Sequence, residues 1–355
     1  MPISAASCKS EQKMGIKVGQ FRLPHRVLLA PMAGITDAPF RAAAARLGAA
    51  YVVSEMVAGR ELARKRADVL ARALNMDPAD PPRPFVIQLA GRTPEDMALG
   101  ARVAVDLGAD IIDINMGCPA RLVAGKLSGA ALMRDPDLAL RIVEATVQAA
   151  GDVPVTVKMR LGWDRDSLNA PEIAHLAESA GAAMIVVHGR TRNQFYDGAA
   201  DWKAVRSVTC AVSIPVVVNG DIMDAETARQ AMAQSGAAAV MVGRAARGRP
   251  WLIGELARAL DGEDAGIAPL TLARQIEETR RLHADMVAFH GPVQGVRRAR
   301  KHLGWALAHW RAAGWLSEAE EKAWRTRLLR AEAAEAVQAD LARLADILLE
   351  REAAA

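Results

Sequence analysis

Short apolar runs alternate with amphipathic segments between Val27 and about Ala259. Eight such runs are Val27–Ala30, Tyr51–Ser54, Phe85–Leu89, Asp110–Asn115, Val155–Met159, Met184–His188, Pro215–Asn219 and Ala239–Val242. They are too short for helices and too continuously apolar for strands with one wet face. Runs of this kind are typical of buried parallel strands.

Helix signals lie between these runs. Thr93-Pro94-Glu95-Asp96 combines an N-cap residue, a proline in the first turn and acids near the positive helix end. Asp135-Pro136 and Asn169-Ala170-Pro171 predict two more helix starts, and a Gly-Ala pair at positions 48, 108, 181 and 236 predicts helix ends just before strands.

Eight strand–helix repeats predict an α/β fold, a (β/α)8 (TIM) barrel. The competing fold is a doubly wound open sheet, which usually has fewer strands. It is disfavoured because no Gly-x-Gly-x-x-Gly follows the first run.

The pattern changes after Ala259. Asp261-Gly262-Glu263-Asp264 predicts a linker, and only helical periodicity follows from Thr271 to Leu349. We therefore predict an N-terminal segment over 1–20, a barrel over 21–260 and an all-α bundle of about four helices over 261–355.

Composition and charge limit the binding partners and the cellular compartment that the sequence allows. The 355 residues carry a formal charge of +4, which allows nucleic-acid binding without requiring it. Three distant cysteines argue against a disulfide framework and against a metal site, and favour a reducing compartment. The polar N-terminus predicts no signal peptide, and no run is long enough to span a membrane, so we expect a cytoplasmic protein.

Polar residues gather where the predicted strands end, which is where barrel enzymes place their chemistry. The candidate residues at these strand ends, polar and apolar together, are in chain order Pro31, Met32 and Ala33, then Glu55, Gln88, Asn115 and Cys118, then Lys158, Arg160, His188 and Arg190, and finally Asn219, Gly220, Asp221, Gly243 and Arg244.

The glycine turns after runs seven and eight predict a phosphate site, with Arg244 as a forked donor. Ordinary turn glycines beside a surface arginine are the alternative. Lys158 lies inside an apolar run, where an unpaired cation is costly, so it predicts a Schiff base or a donor to an anionic ring. His188 fits either a site or a satisfied core position equally well.

Cys118 lies between a glycine and a proline, three residues after Asn115. A free cysteine usually prefers an apolar interior, so a thiol in a tight turn indicates chemistry. A cysteine without a role and a thiolate nucleophile are the alternatives. The nucleophile would need a neighbouring cation or histidine.

Several motifs together resemble the tRNA-dihydrouridine synthases. They are Leu29-Ala-Pro-Met-Ala-Gly-Ile-Thr-Asp-Ala-Pro-Phe-Arg41, Asp113-Ile-Asn-Met-Gly-Cys-Pro119, Val187-His-Gly-Arg-Thr-Arg192 and Val218-Asn-Gly-Asp221. Val242-Gly-Arg-Ala-Ala-Arg-Gly-Arg-Pro-Trp251 and Ala299-Arg-Lys-His-Leu-Gly-Trp305 resemble the bacterial B-type branch.

The resemblance implies an FMN-dependent reductase that saturates the C5–C6 bond of a uridine in the D-loop of tRNA, with U17 as the B-type position. NADPH, or NADH, would be the reductant. The implied flavin contacts are Pro31, Met32, Ala33, Gln88, Lys158 and His188, with Asn219, Gly220, Asp221, Gly243 and Arg244 at the ribityl phosphate.

The resemblance makes Cys118 the general acid. An unperturbed thiol, with a pKa of about 8.5, is mostly protonated at pH 7 and can give C5 its proton. Asn115, Arg160 and Arg190 would contact the substrate base, which must flip out of the tRNA fold.

In the family, the C-terminal helices hold the tRNA. Here Arg297, Arg298, Arg300 and Lys301 would contribute, although residues 271–355 carry 14 basic and 12 acidic residues, so any phosphate-binding face is local. A solvated helix face is the alternative. Trp305, Trp310, Trp315 and Trp324 are expected in the bundle core.

One departure from the B-type pattern concerns the two basic residues expected after Cys-Pro-Ala. Arg121 and Leu122 stand there, and we expect Lys126 to compensate for the lost charge. Two rival functions share parts of the pattern. They are a flavin-dependent dehydrogenase of free dihydropyrimidines or dihydroorotate, which would not need the C-terminal helices, and a non-catalytic flavin- or RNA-binding regulator. A monomer is expected.

Overall fold

The parallel strands close into a ring. In the computed structural model, which describes residues 15–77, 82–120, 128–261 and 270–354, Val27–Leu29 pairs with both Val52–Val53 and Ala239–Val242. Every other neighbouring pair in the ring is also parallel. Closure confirms the predicted barrel and excludes the open sheet, which would keep two unpaired edges.

The strands follow the predicted runs. They are β1 (Lys17–Val18), β2 (Phe21–Arg22), β3 (Val27–Leu29), β4 (Val52–Val53), β5 (Val57–Ala58), β6 (Phe85–Ala90), β7 (Ile111–Met116), β8 (Val155–Arg160), β9 (Met184–His188), β10 (Val216–Asn219) and β11 (Ala239–Val242).

Helices connect them in the order that the sequence predicts. Around the barrel they are α1 (Ala38–Arg46), α2 (Gly59–Ala63), α3 (Ala67–Ala73), α4 (Pro94–Asp106), α5 (Pro136–Ala150), α6 (Ala170–Ser179), α7 (Trp202–Ala211), α8 (Ala225–Ser235) and α9 (Leu252–Asp261). Two 3-10 helices, Gly129–Arg134 and Arg244–Ala246, lie at strand-to-helix turns.

The helix boundaries confirm the capping signals. The Thr93 hydroxyl accepts the N–H of Asp96, and Asp135 caps α5 in the same way. Asn169 precedes α6, but its side chain donates to the Met133 carbonyl instead of capping. Gly236 ends α8 in the left-handed region at φ 69°, and its N–H reaches the Met232 carbonyl.

The second barrel strand is interrupted. Ser54–Met56 separates β4 from β5, which pairs with the far end of β6. The hydroxyl of Ser54 accepts the backbone N–H of Gln88 at 3.0 Å. A side-chain hydroxyl thus replaces a backbone carbonyl as the acceptor of one hydrogen bond between these strands. The apolar pattern did not predict this feature.

A small hairpin covers the start of the barrel. β1 pairs with β2, and its Val18 is fully buried in a cluster with interior barrel residues such as Leu28 and Met241. Gly19 lies directly against Pro154, which precedes β8. The hairpin therefore fills the amino end of the barrel and leaves the carboxyl end for a site.

Residues 270–354 form four helices, as the periodicity predicts. They are α10 (Leu272–His290), α11 (Pro292–Ala312), α12 (Glu318–Arg330) and α13 (Ala334–Ala354). They share a separate apolar core that includes Trp310 and Trp324, with Trp315 packed against it. Trp305 lies instead under the guanidinium of Arg247, 4.9 Å from its ring centre.

Three polar contacts hold these helices against the barrel. Arg46 of α1 reaches the fully buried carboxylate of Glu278 at 2.7 Å. His290 lies 2.8 Å from Asp37. Lys301 donates to the carbonyl of Gly34, in the loop after β3. The helical region therefore contacts a loop at the mouth of the barrel.

The buried pair predicts a measurable coupling. Glu278→Ala removes the carboxylate that pairs with Arg46 and with Arg274, each at 2.7 Å, and leaves Arg46, among the described residues, only Asp285, at 3.9 Å. We expect the free energy of unfolding to fall by about 3 kcal/mol in chemical denaturation. Glu277→Ala is the matched control. It removes an exposed partner of Arg274, so less than about 0.5 kcal/mol should be lost. Equal losses in both variants would contradict a structural role for the buried pair.

Candidate active site

The strand register brings the predicted residues to the same end of the barrel, on two neighbouring rungs of the sheet. Asn115 lies opposite Lys158, and Arg160 lies opposite His188. His188 in turn lies opposite Asn219. Because all of these residues are at the carboxyl ends of their strands, their side chains converge on one mouth.

The cysteine turn is held by an amide. The Asn115 Oδ1 accepts the backbone N–H groups of Gly117 at 3.2 Å and Cys118 at 3.0 Å. Arg160 Nε donates to the Gly117 carbonyl at 2.8 Å. The thiol of Cys118 is free and partly exposed, as a proton donor to a bound molecule must be.

A chain of buried polar groups continues behind Asn115. Its Nδ2 donates to Gln88 Oε1 at 2.9 Å, and Gln88 Nε2 donates to Asp113 at 2.7 Å. The Thr156 hydroxyl donates to the other carboxylate oxygen at 2.6 Å. Burial raises the pKa of Asp113 to about 6, although these hydrogen bonds oppose the increase.

Lys158 has one protein partner at the mouth. Its Nζ donates to Asn219 Oδ1 at 3.1 Å, and Asn219 Nδ2 donates to the Met241 carbonyl at 2.7 Å. Burial lowers the pKa of Lys158 to about 8, and the positive charge of Arg160 adds to the decrease. The ammonium group keeps donors free for a ligand, since within the described chain only one of its three is used.

His188 is neutral in this setting. Burial first, and then the neighbouring cations with Arg160 foremost, hold its pKa well below the ordinary value of 6.5. Arg190 lies 3.3 Å from Nε2 and can only donate, so Nε2 is the acceptor and Nδ1 carries the ring proton.

The turn after β10 is shaped by close contacts. Gly220 adopts φ 112°, and a Cβ there would lie 2.7 Å from the His188 ring. Asp221 follows at φ 54° and accepts from Arg190 at 2.6 and 3.0 Å. Partial burial by itself raises the pKa of Asp221, but the hydrogen bonds from Arg190 and from the Ala200 N–H outweigh this effect, so the pKa is lowered.

Arg244 extends from the turn after β11 toward the same place. Its guanidinium lies 3.3 Å from Asp221 and 4.8 Å from the ring centre of Tyr196, and it is 44% exposed. The 3-10 helix that begins at Arg244 has backbone N–H groups without helical acceptors. The mouth thus combines backbone donors with a cation that is only partly paired.

Some predicted site residues have structural partners. Arg190 is almost fully buried, and besides Asp221 it donates to the carbonyls of Asp197 and Gly198. Its contact with substrate stays a prediction, but its observed partners favour a role in holding Asp221. The Asp221 carboxylate, in turn, lies within ion-pair distance of both Arg190 and Arg244.

The predicted tRNA contacts on α11 differ among themselves. Arg297 and Arg298 are exposed, whereas Arg300 donates to the Ala331 carbonyl. Lys301 is half-buried at Gly34. Arg121, Leu122, Lys126 and Cys8 lie outside the described residues.

Sequence reasoning missed two features of the mouth. Tyr196 is half-exposed between Arg160, 5.7 Å from its ring centre, and Arg244. Its only signal was an aromatic residue in the loop after β9. Trp163 lies between the guanidinium groups of Arg134, at 5.0 Å, and Arg192, at 4.6 Å. Within the described residues, neither arginine has a carboxylate within ion-pair distance.

Solved structures share the fold at low identity. Morphinone reductase is 16% identical with a TM-score of 0.53, over 75% of this chain and 94% of its own. The old yellow enzyme homologue from Zymomonas mobilis is 15% identical with a TM-score of 0.50, over 73% of this chain and 94% of its own. This likeness supports the barrel alone.

Sequence comparisons are more specific. The profile of the family "Dihydrouridine synthase (Dus)" matches residues 28–344. A probable tRNA-dihydrouridine synthase of Rhodobacter capsulatus is 55% identical over 82% of this chain and 89% of its own. tRNA-dihydrouridine synthase B of Xanthomonas campestris is 47% identical over 82% and 86%. The chain therefore belongs to the dihydrouridine synthase family, as its motifs predict.

Proposed function

We propose that this protein reduces the C5–C6 bond of a uridine in the D-loop of tRNA, using FMN and NADPH. The observation that carries the proposal is the position of the Cys118 thiol. It lies partly exposed on a turn that is hydrogen-bonded to Asn115, at the same barrel mouth as Lys158 and His188. Family membership supports the same reaction.

The mouth fits an anionic flavin nucleotide. Lys158, Arg160 and Arg244 bring positive charge, while Asp221 is shared between two arginines. Gly243 is partly exposed in the last turn, and a Cβ on it would touch Ala30 and Met32, whereas Gly220 is buried against His188. We propose that these turns, with Asn219 and Arg244, hold the phosphate, and that Asp221 positions the arginines beside it.

The ring of the flavin would lie against Pro31, Met32 and Ala33, with Lys158 and His188 at its polar edge. Gln88, predicted at the same edge, is 1% exposed and bonded to Asp113 and Asn115, so it would act from behind the site. When bound, FMN supplies the hydride that adds to C6 of the uracil ring. The Lys158 ammonium favours negative charge beside it. The neutral His188 can donate from Nδ1 without adding a further charge.

Cys118 supplies the proton in this proposal. Its S–H bond breaks as C5 gains the proton, so that hydride and proton together saturate the double bond. Asn115 orients the base in this proposal. Arg160 is 1% exposed and donates to the carbonyls of Gly117, Thr191 and Phe195, so it holds the loops around the base and supplies positive charge from behind them. Solvent then restores the proton to sulfur.

The base reaches this mouth only if it leaves the tRNA fold. The exposed Arg297 and Arg298 of α11, together with Arg134 and Arg192 on Trp163, offer donors to the phosphates around it. We propose U17 as the target, as the resemblance of the motifs to the B-type branch implies, and a cytoplasmic, monomeric enzyme. No helix in the described parts of the chain has the length and hydropathy to cross a membrane.

The phosphate site predicts an effect on FMN retention. Arg244→Ala should weaken FMN binding about tenfold, since one charge-assisted hydrogen bond is lost, about 1.5 kcal/mol. Fluorescence titration of the apoprotein with FMN measures this. Arg206→Ala is the control, because Arg206 binds carbonyls at the end of α8, at the opposite end of the barrel. An unchanged affinity in Arg244→Ala would refute the proposed site.

The acid role predicts a loss confined to chemistry. Cys118→Ala should lower the rate of dihydrouridine formation in tRNA by about 100-fold or more, with FMN and tRNA affinities within about twofold of the parent. Cys210→Ala, at an exposed free cysteine, should leave the rate unchanged. Normal turnover of Cys118→Ala would contradict the assignment.

The rival substrate class is open to direct comparison. With NADPH and FMN, we expect reduction of an unmodified tRNA transcript and no reduction of free uridine or uracil at equal concentration. A free pyrimidine is too small to contact α10–α13, so these helices cannot contribute to its binding. Reduction of the free pyrimidine at a similar rate would favour the dehydrogenase instead.

A further inference from the structure

We propose that Asp113 is a positioning residue that fixes, through Gln88, the direction of the Asn115 amide and so the shape of the Cys118 turn. The consequence for catalysis rests on the function proposed above, whereas the effect on the turn does not. Asp113 lies below the mouth and is separated from Cys118 by two side chains in series.

The orientation of the two amide side chains, Gln88 and Asn115, is set first at the Asp113 carboxylate. An ionised carboxylate only accepts hydrogen bonds, so the Gln88 atom that faces it at 2.7 Å must be Nε2. Gln88 Oε1 then faces the other way and accepts from Asn115 Nδ2. Since each amide has one donating and one accepting end, the choice made at Asp113 passes along the chain.

The last step explains why direction matters. With Nδ2 toward Gln88, Asn115 Oδ1 accepts the N–H groups of both Gly117 and Cys118. The reverse orientation would place an NH2 group against these two donors and leave both unpaired. A buried donor without a partner is disfavoured, so the reversed turn would move.

Burial makes this arrangement rigid. Asp113, Thr156 and Gln88 are each at most 2% exposed, so water does not compete for their hydrogen bonds. Thr156 holds the second carboxylate oxygen at 2.6 Å and prevents the carboxylate from rotating. Burial also raises the pKa of Asp113 to about 6, which shows that its charge is retained at an energetic cost.

The arrangement has a consequence for recognition. The structure gives the second N–H of Asn115 Nδ2 no partner within the described residues, and Oδ1 is occupied by the backbone. Asn115 therefore meets a bound base as a hydrogen-bond donor, which suits a carbonyl oxygen of uracil and not an amino group.

The test measures the turn without relying on turnover. Alkylation of Cys118 by iodoacetamide is followed by peptide mass spectrometry in the full-length, FMN-loaded protein, with Cys210 in the same chain as internal reference. In Asp113→Leu, which removes the acceptor, we expect the Cys118 rate to rise about fivefold or more relative to Cys210. Gln88→Met interrupts the chain at its next member and should have the same effect.

Asp113→Asn is the conservative variant. Its oxygen can accept from Gln88 Nε2 while its NH2 donates to Thr156, so the alkylation ratio should stay within about twofold of the parent. A ratio unchanged in both Asp113→Leu and Gln88→Met would overturn the inference.

Turnover separates this inference from the proposed function. If the parent forms dihydrouridine in tRNA, Asp113→Leu should lower kcat about tenfold or more, with tRNA affinity near the parent value. Its melting temperature should fall, because Gln88 and Thr156 lose their buried acceptor. Asp113→Asn should restore kcat. Failure of the parent itself would count against the proposed function, while the alkylation ratios would still decide the inference.

Discussion

Closure of the parallel ring is the constraint on which the rest of the structure depends. Because β3 pairs with both β4 and β11, all eight strand positions run in one direction, and their carboxyl ends meet at one mouth. The register then places Asn115 beside Lys158 and Arg160 beside His188. A shift of one residue in any pair would turn these side chains into the outer core.

The mouth is governed by an excess of positive charge over available acceptors. Lys158, Arg160 and Arg244 converge there, and the partly exposed carboxylate of Asp221 is bound by arginines. Burial, together with these cations, keeps His188 neutral by lowering its pKa. Such an arrangement favours an anionic ligand, and the separate buried chain behind Cys118 shapes the turn that faces it.

Much of this arrangement could be predicted from the chain. Periodicity located the barrel, the four C-terminal helices and the glycine helix ends, because these depend on local spacing. Pairings between distant residues could not be read in the same way. The ladder bond from Gln88 to Ser54, the Arg190–Asp221 pair and the placement of Tyr196 between two arginines all depend on loops that meet only after folding.

The C-terminal helices illustrate the same limit. Their number follows from the sequence pattern, but Lys301 was predicted on a tRNA-facing surface and lies half-buried at the carbonyl of Gly34. The structure thereby connects the helical region to the loop that would line the flavin.

The most direct measurement is mass-spectrometric mapping of dihydrouridine in bulk tRNA from a strain lacking its own synthases, with and without this protein. We predict that dihydrouridine appears at U17 of the D-loop when the protein is present. An unchanged tRNA pool, from cells in which the protein carries its flavin, would contradict it.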